Sequence, residues 1–221
     1  MRSSLPLRTP RLFLLSLTWA LSVVGAAAGL NAIVKRNDQV ASIKQAVAAL
    51  RITVSVNTND ILRSGIVLAV GCLLLAIVTS IFIGLLVLDS LKPPGTNPIS
   101  TRTLGAQTGL LAFLTIWIFA CLVAVTKFAA NGSAAVAAYL GGAKVPDSLV
   151  HATETQLGFS RVYWDQLYVR ILTVAPWVTF LFALISTIVS FVASRKRTAE
   201  GSGWTDREKG ETEMRENARI D

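Results

Sequence analysis

The sequence predicts an all-α integral membrane protein, built as a bundle of four transmembrane helices. Hydrophobic residues make up 52% of the 221-residue chain and charged residues only 15%, whereas soluble proteins average about 25% charged residues. Charged residues are absent from four windows, 12–34, 64–88, 103–126 and 171–194. Because an apolar helix needs about 20 residues to cross the hydrocarbon core of a bilayer, each window is long enough to span it.

The first window follows a basic N-terminal segment, residues 1–11, which contains three arginines and no acidic residue. This order is typical of a retained transmembrane helix, and also of a cleaved signal peptide with Ala26-Ala27-Ala28 as its small-residue cleavage site. The apolar run continues to Val34, beyond the roughly 7–15 residues of a signal-peptide core. The length therefore favours a retained first helix, with cleavage as the alternative.

Residues 35–63 form the first predicted outer loop, and part of it has a helical pattern. Apolar residues recur there on one helical face, at Val40, Ile43, Val47, Leu50 and Val54. The pattern predicts an amphipathic helix, which either lies on the membrane or a partner, or simply extends the first span. Ile52, Val54 and Val56 also alternate, as in a short strand.

The second and third windows are joined by a short, proline-containing turn, residues 89–102, which predicts an antiparallel hairpin. Residues 127–170 then form the second outer loop. The alanine-rich segment Ala134–Leu140 predicts a short helix in this loop. Asn131-Gly132-Ser133 matches the glycosylation sequon, so Asn131 is a candidate glycosylation site.

Aromatic and basic residues mark the two ends of the fourth window. Tyr163, Trp164 and Tyr168 cluster just before it, and such rings are predicted to anchor a helix at the membrane–water interface. Arg195, Lys196 and Arg197 follow it as a stop-transfer cluster. The positive-inside rule then places both termini in the cytoplasm, and the polar residues 195–221 predict a disordered cytoplasmic tail.

Small residues form stripes along the windows, and such residues let membrane helices approach closely. The predicted helix-packing positions are Gly25, Gly29, Gly65, Ala69, Cys72, Ala76, Ser80, Gly84, Gly105 and Gly109. The stripes fit an intramolecular bundle or contact with a second copy. Cys72 and Cys121 lie inside apolar windows and are interpreted as small buried residues, so neither a metal site nor a cofactor is predicted.

The four windows contain no ionisable residue, which argues against ion-coupled transporters and intramembrane hydrolases. His151 with Glu154 or Asp165 is a weak acid–base grouping in a polar loop. We therefore expect a non-enzymatic protein of the plasma membrane or a secretory-pathway membrane that organises the membrane, other membrane proteins or copies of itself by lateral helix packing. The net charge of +8 favours anionic lipid over nucleic acid.

Two alternative functions follow from polar residues. The first is a small channel or transporter, or an accessory subunit of one, with a polar seam at Thr79, Ser80, Gln107, Thr115 and Thr126. The second is a membrane-bound enzyme that uses the loop 127–170.

The plan resembles small four-span families such as claudins, tetraspanins and MARVEL-type proteins, in topology alone. The loop 35–63 lacks the tryptophan and cysteine pair of claudins. The loop 127–170 lacks the Cys-Cys-Gly of tetraspanins. The resemblance therefore assigns the chain to none of these families.

Overall fold

Four long helices dominate the computed structural model, which describes residues 8–48, 52–91, 103–140, 143–146, 148, 160 and 162–217. They are Arg8–Ala48 (α1), Asn59–Leu91 (α2), Leu104–Asn131 (α3) and Leu167–Asn217 (α4). Each contains a stretch long and apolar enough to cross a membrane: Thr9–Ala46, Asn59–Leu91, Leu104–Asn131 and Leu167–Arg195. The prediction of four apolar helices is confirmed, and they indicate a multi-pass membrane protein.

The helices form an antiparallel bundle in which α1 and α3 each pack against α2 and α4. Antiparallel packing follows from paired contacts: Thr18 bonds Ser186 while Leu21 O accepts from Thr179, and Thr115 bonds Thr187 while Thr126 accepts from Trp177. We call the end with the last turns of α1 and α3 the sheet end, because a small sheet lies there. The opposite end, where α1 and α3 begin, is the tail end.

The interior is filled by large aliphatic side chains, and equally apolar side chains cover the outside. Leu68, Leu75, Leu111, Ile118 and Leu122 are fully buried between the helices. Exposed residues on every helix include Phe13, Leu73, Ile116 and Ile188. Helices that are apolar on both their inner and outer faces are suited to a lipid environment rather than to water.

Three strands lie at the sheet end, so the prediction of an all-α fold is wrong in this part. Ile52–Asn57 (β1), Ala135–Leu140 (β2) and Ala143–Lys144 (β3) form an antiparallel sheet in the order β1-β2-β3. The short strand suggested by the alternation of Ile52, Val54 and Val56 is confirmed. The predicted helix at Ala134–Leu140 is instead β2, because pairing with β1 outweighs the helix propensity of its alanines.

The register of β1 and β2 places Val54 opposite Ala138. These two buried side chains pack with Ile43 of α1 and with Val56 and Val136. The helical pattern in the first loop therefore belongs to an extension of α1, which continues to Ala48, and not to a separate surface helix. Val40, Ile43 and Val47 of the predicted pattern lie in α1, whereas Val54 lies in β1. Leu50 lies outside the described residues.

Helix α4 continues through Asn217, so the prediction of a disordered tail from residue 195 is wrong for residues 195–217. Helix formation is costly mainly at nucleation, and a segment attached to an existing helix avoids that cost. The segment also contains many Glu, Lys and Arg residues, which are good helix formers. Pro176 lies inside α4 without interrupting it.

Candidate functional site

A small cleft of about 40 Å³ lies at the sheet end between α1, α2 and α4. Gly29 and Ala32 of α1 and Gly65 of α2 line it, together with larger apolar residues such as Ile66 and Leu172. Because the glycines and the alanine are small, they leave this space between helices that are otherwise tightly packed. The walls of the cleft are therefore mainly apolar.

A polar network forms the rim of the cleft. Arg36 Nε donates to Thr58 Oγ1 at 2.9 Å, which ties α1 to the residue before α2. The hydroxyl of Tyr168 donates to Gln39 Oε1 at 2.8 Å, and Gln39 Nε2 donates to Gln166 Oε1 at 2.7 Å. These bonds fasten the start of α4 to α1, so the cleft is held open between fixed helices.

Tyr163 packs into a small apolar cluster at the sheet end, and its role as an interface anchor stays a prediction. It is buried, and its hydroxyl donates to Asp60 Oδ1 at 2.9 Å. Burial raises the pKa of the Tyr163 phenol, and the hydrogen bond to Asp60 and the charge of Asp60 raise it further. Its ring packs over Gly132, where a Cβ would lie only 2.9 Å from the ring carbons.

The other two aromatic residues of this cluster differ from each other. Trp164 is exposed, and the guanidinium of Arg170 lies 5.9 Å from its ring centroid. Tyr168 is half-buried at the cleft rim. An anchoring role at the interface therefore remains a prediction for Trp164, whose ring faces outward.

The small residues of α1 lie against α2 and α4. A Cβ on Gly25 would lie 3.0 Å from Cys72 Sγ, and a Cβ on Gly29 would overlap the Cβ of Ala69. A Cβ on Gly65 would lie 3.2 Å from Leu172 Cδ2. The GxxxG pair of α1, Gly25 and Gly29, is thus occupied inside the chain.

The remaining stripe positions lie in different surroundings. Gly84, Gly105 and Gly109 have no atom within 4 Å of a built Cβ in the described part of the chain. Ser80 is exposed, whereas Ala76 is buried. Among the described residues, a Cβ on any of these three glycines thus meets no neighbouring helix, and the GxxxG pair of α3, Gly105 and Gly109, is exposed on the outside of the bundle.

One close approach was missing from the predicted stripes. A Cβ on Gly71 would lie 3.1 Å from Trp117 Cδ1, so Gly71 admits an indole edge between α2 and α3. The predicted stripe on α2 recurs every three or four residues and includes Cys72 and Ala76. Gly71 lies outside that spacing.

The proposed polar seam is bonded within the chain. Thr79 Oγ1 donates to Leu75 O at 2.7 Å, and Thr115 Oγ1 donates to Leu111 O at the same distance. Ser80 bonds the carbonyl of Ala76, and Thr126 accepts a bond from Trp177 Nε1 at 3.1 Å. These hydroxyls satisfy backbone or neighbouring groups and alternate with fully buried aliphatic side chains.

Gln107, the last seam residue, leads to a group that the sequence analysis missed. Arg11 Nη2 donates to Gln107 Oε1 at 3.3 Å, and Arg11 is only 3% exposed. The charge-free window begins after Arg11, but α1 begins at Arg8, so Arg11 lies on the helix and is buried in the bundle. The sequence signal is the spacing: Arg11 lies one helical turn before Leu15, which is inside the apolar window and is buried in the structure.

Other predicted positions lie at the ends of the helices. Asn131 is the exposed last residue of α3, and glycosylation there stays a prediction. Arg195 is exposed, with its guanidinium 4.9 Å from the centroid of the Phe191 ring. Lys196 and Arg197 continue α4.

The acid–base grouping is only partly visible, since His151 and Glu154 lie outside the described residues. Asp165 lies in a short 3-10 helix, Tyr163–Asp165, and accepts a hydrogen bond from Ser160. Cys72 is buried and Cys121 half-buried, and both are free thiols. Within the described ranges, no three His, Cys, Asp or Glu residues cluster in a way that could hold a metal ion.

Comparison of the chain with protein-family models, curated proteins and solved structures finds no match.

Proposed function

We propose that this chain is a non-enzymatic membrane protein that organises the bilayer around it by lateral helix packing. The neighbour that we propose for the outward face of α3 is a second copy of the same chain. We place the protein in the plasma membrane or a secretory-pathway membrane with both termini in the cytoplasm. Residues 1–11 and the Arg195-Lys196-Arg197 cluster support this orientation, because basic residues concentrate on the cytoplasmic side.

The observation that carries the proposal is the contrast between the two GxxxG pairs. Gly25 and Gly29 are covered by α2 within the chain, whereas Gly105 and Gly109 are exposed and have no atom near a built Cβ. Between lipid-facing helices there is little hydrophobic driving force, so association depends on close backbone approach at small residues. The exposed pair of α3 offers that approach to a helix from another molecule.

A second copy is the simplest occupant of this face. A two-fold symmetric contact needs only one self-complementary patch, and the two glycines can meet their own equivalents across the axis. Phe113 and Trp117, with ring centroids 6.0 Å apart, continue the outer side of α3 beyond the glycines. Their rings supply a contact area next to the glycine depression.

The packing of the interior supports an organising role over transport. The inward hydroxyls at Thr79 and Thr115 bond to their own helices, and Leu75 and Leu111 beside them are fully buried. A conducting path needs polar groups that face a water-filled space. The filled core therefore favours a protein that acts through its surface.

Counting of photobleaching steps tests the proposal, with the fluorescently labelled protein at high dilution in lipid vesicles. The wild type is expected to form dimers, and Gly109→Leu is expected to lower the association constant about tenfold or more, equivalent to about 1.4 kcal/mol. Because nothing lies within 4 Å of the Gly109 Cβ position, this variant should fold normally.

Gly84→Leu is the matched control, since Gly84 is equally open but lies on α2. It should dimerise like the wild type. A wild type that is monomeric, or a Gly109→Leu variant that dimerises as well as Gly84→Leu, contradicts the proposal. Ion or solute flux through the same vesicles, absent from protein-free vesicles and reduced by Thr115→Leu, would instead support a channel.

A further inference from the structure

Arg11 is a buried cation with an unpartnered nitrogen. It is 3% exposed, and among the described residues it donates a long hydrogen bond of 3.3 Å from Nη2 to Gln107 Oε1. Its Nε is buried and has no hydrogen-bond partner. In the described part of the chain, Arg11 pairs with no carboxylate. A guanidinium has five N–H donors, and the Nε–H of Arg11 is the one that is buried without a partner.

A buried charge of this kind needs a counter-charge. Removing an ion from water costs several kcal/mol unless an opposite charge and good hydrogen bonds compensate it. Gln107 supplies only a neutral oxygen, and Gln107 Nε2 is itself turned to Thr103 Oγ1 at 2.9 Å. Among the described residues, therefore, no group neutralises the charge of Arg11.

The level of Arg11 in the bundle can be read from the contacts above it. Thr18 bonds Ser186 and Thr115 bonds Thr187, which fixes one common level. From there Arg11 lies seven residues and Gln107 eight residues toward the tail end, or about 10 and 12 Å along their helices. Both residues thus lie in the first turn of a helix, near the membrane surface and not at mid-bilayer.

A second buried polar atom near this level also lacks a partner. Ser190 is 1% exposed, and its Oγ makes no hydrogen bond. It lies one helical turn toward the tail end from Ser186, and about one turn inward of Arg11. Two buried polar atoms at the same end of the bundle thus have no hydrogen-bond partner among the described residues.

The electrostatics of the tail end favour an anion. Helices α1 and α3 both begin there, and the N-terminus of a helix carries a partial positive charge. Arg195 adds an exposed basic side chain at the same end. The first turns of α1 and α3, together with Arg195, therefore attract an anion that approaches Arg11.

We propose that Arg11 and Gln107 form a binding site for a phosphate group at the tail end of the bundle. The guanidinium would donate the Nε–H and Nη2–H bonds side by side to two phosphate oxygens, the bidentate geometry for which arginine is suited. The phosphate belongs either to the headgroup of an anionic lipid or to free phosphate. The bond to Gln107 orients the guanidinium for this contact.

Thermal unfolding of the full-length protein in phosphatidylcholine nanodiscs tests the site in two arms. One arm adds inorganic phosphate against chloride at equal ionic strength, and the other includes phosphatidic acid in the disc. A ligand at about 100 times its Kd is expected to raise the Tm by about 5–10 °C. The arm that responds identifies the source of the phosphate.

Two variants separate the site from the general basic charge of this end. Gln107→Glu places a carboxylate beside Arg11, so the Tm without ligand should rise and the response to phosphate should disappear. Arg11→Lys keeps the charge but loses the bidentate fork, so its response should be smaller. Arg195→Gln removes an equal charge from an exposed residue at the same end and should respond like the wild type.

Three results would overturn the proposal. The wild-type Tm could be insensitive to both phosphate and phosphatidic acid. Gln107→Glu could retain the full wild-type response. Arg195→Gln could lose the response as completely as Arg11→Lys, which would assign the effect to diffuse surface charge.

Discussion

The contact between Gly29 and Ala69 sets the separation of α1 and α2, and Gly29→Ala should therefore destabilise the bundle. The added Cβ overlaps the Cβ of Ala69 and also lies 3.4 Å from the Ala69 Cα, which is backbone and cannot rotate away. Overpacking in a filled core costs about 1–3 kcal/mol. The same substitution gains up to about 1 kcal/mol of helix propensity, so the cost must be measured against a reference.

Gly84→Ala is that reference, because it gains the same propensity and meets no atom within 4 Å. In thermal unfolding in a mild detergent, Gly29→Ala should be about 1–3 kcal/mol less stable than Gly84→Ala. For a chain of this size, each kcal/mol corresponds to about 2–4 °C in Tm. The double variant Gly29→Ala with Ala69→Gly should recover most of the loss, since it restores the space. Equal stability of Gly29→Ala and Gly84→Ala, or no recovery in the double variant, would refute the reasoning.

Three further predictions concern the sheet end of the bundle. Tyr163→Phe should cost about 1 kcal/mol in thermal unfolding, because it removes the bond to Asp60, a carboxylate that is exposed and can be rehydrated. Since the pKa of Tyr163 is raised on folding, the folded state holds this proton more tightly; its contribution to stability is complete below about pH 10 and is lost at higher pH. In ultraviolet difference spectra, Tyr163→Phe should accordingly have one tyrosine fewer that ionises only on alkaline unfolding. Trp177→Phe should cost about 1–2 kcal/mol, because it removes the indole bond to Thr126 and the edge contact with Phe119, while Trp164→Phe, at an exposed ring, should cost less than about 0.5 kcal/mol.

The four helices could be predicted because charge and hydropathy are local properties of the chain. Of the two longer strands, the sequence suggests β1 but predicts a helix in place of β2. The alternation of Val54 and Val56 is visible in sequence, but Ala135–Leu140 has no alternation and a composition that favours helix. This segment is a strand because it pairs with β1, about 80 residues earlier in the chain. Local sequence patterns do not contain that pairing, so they predict a helix.

The same limitation applies at two of the candidate sites. Tyr163 has the composition and position of an interface anchor, and only the fold shows that Asp60 and Gly132 lie beside it. Gly105 and Gly25 begin equivalent GxxxG pairs, and only the packing of α2 separates the one that is occupied from the one that is exposed.

Arg11 shows how a rule that finds a membrane span can also conceal a site. The first apolar window is defined by the absence of charge, so it begins after Arg11. The sequence pattern therefore places Arg11 in the N-terminal segment outside the membrane. In the structure, α1 begins at Arg8, and Arg11 in its first turn donates a hydrogen bond to Gln107 of α3. Such a burial is tolerated near the membrane surface, where a headgroup phosphate can approach, and would be far more costly at mid-bilayer. The position of a charge within one turn of a predicted span boundary is therefore the place where sequence patterns are least able to separate a solvated end from a ligand site.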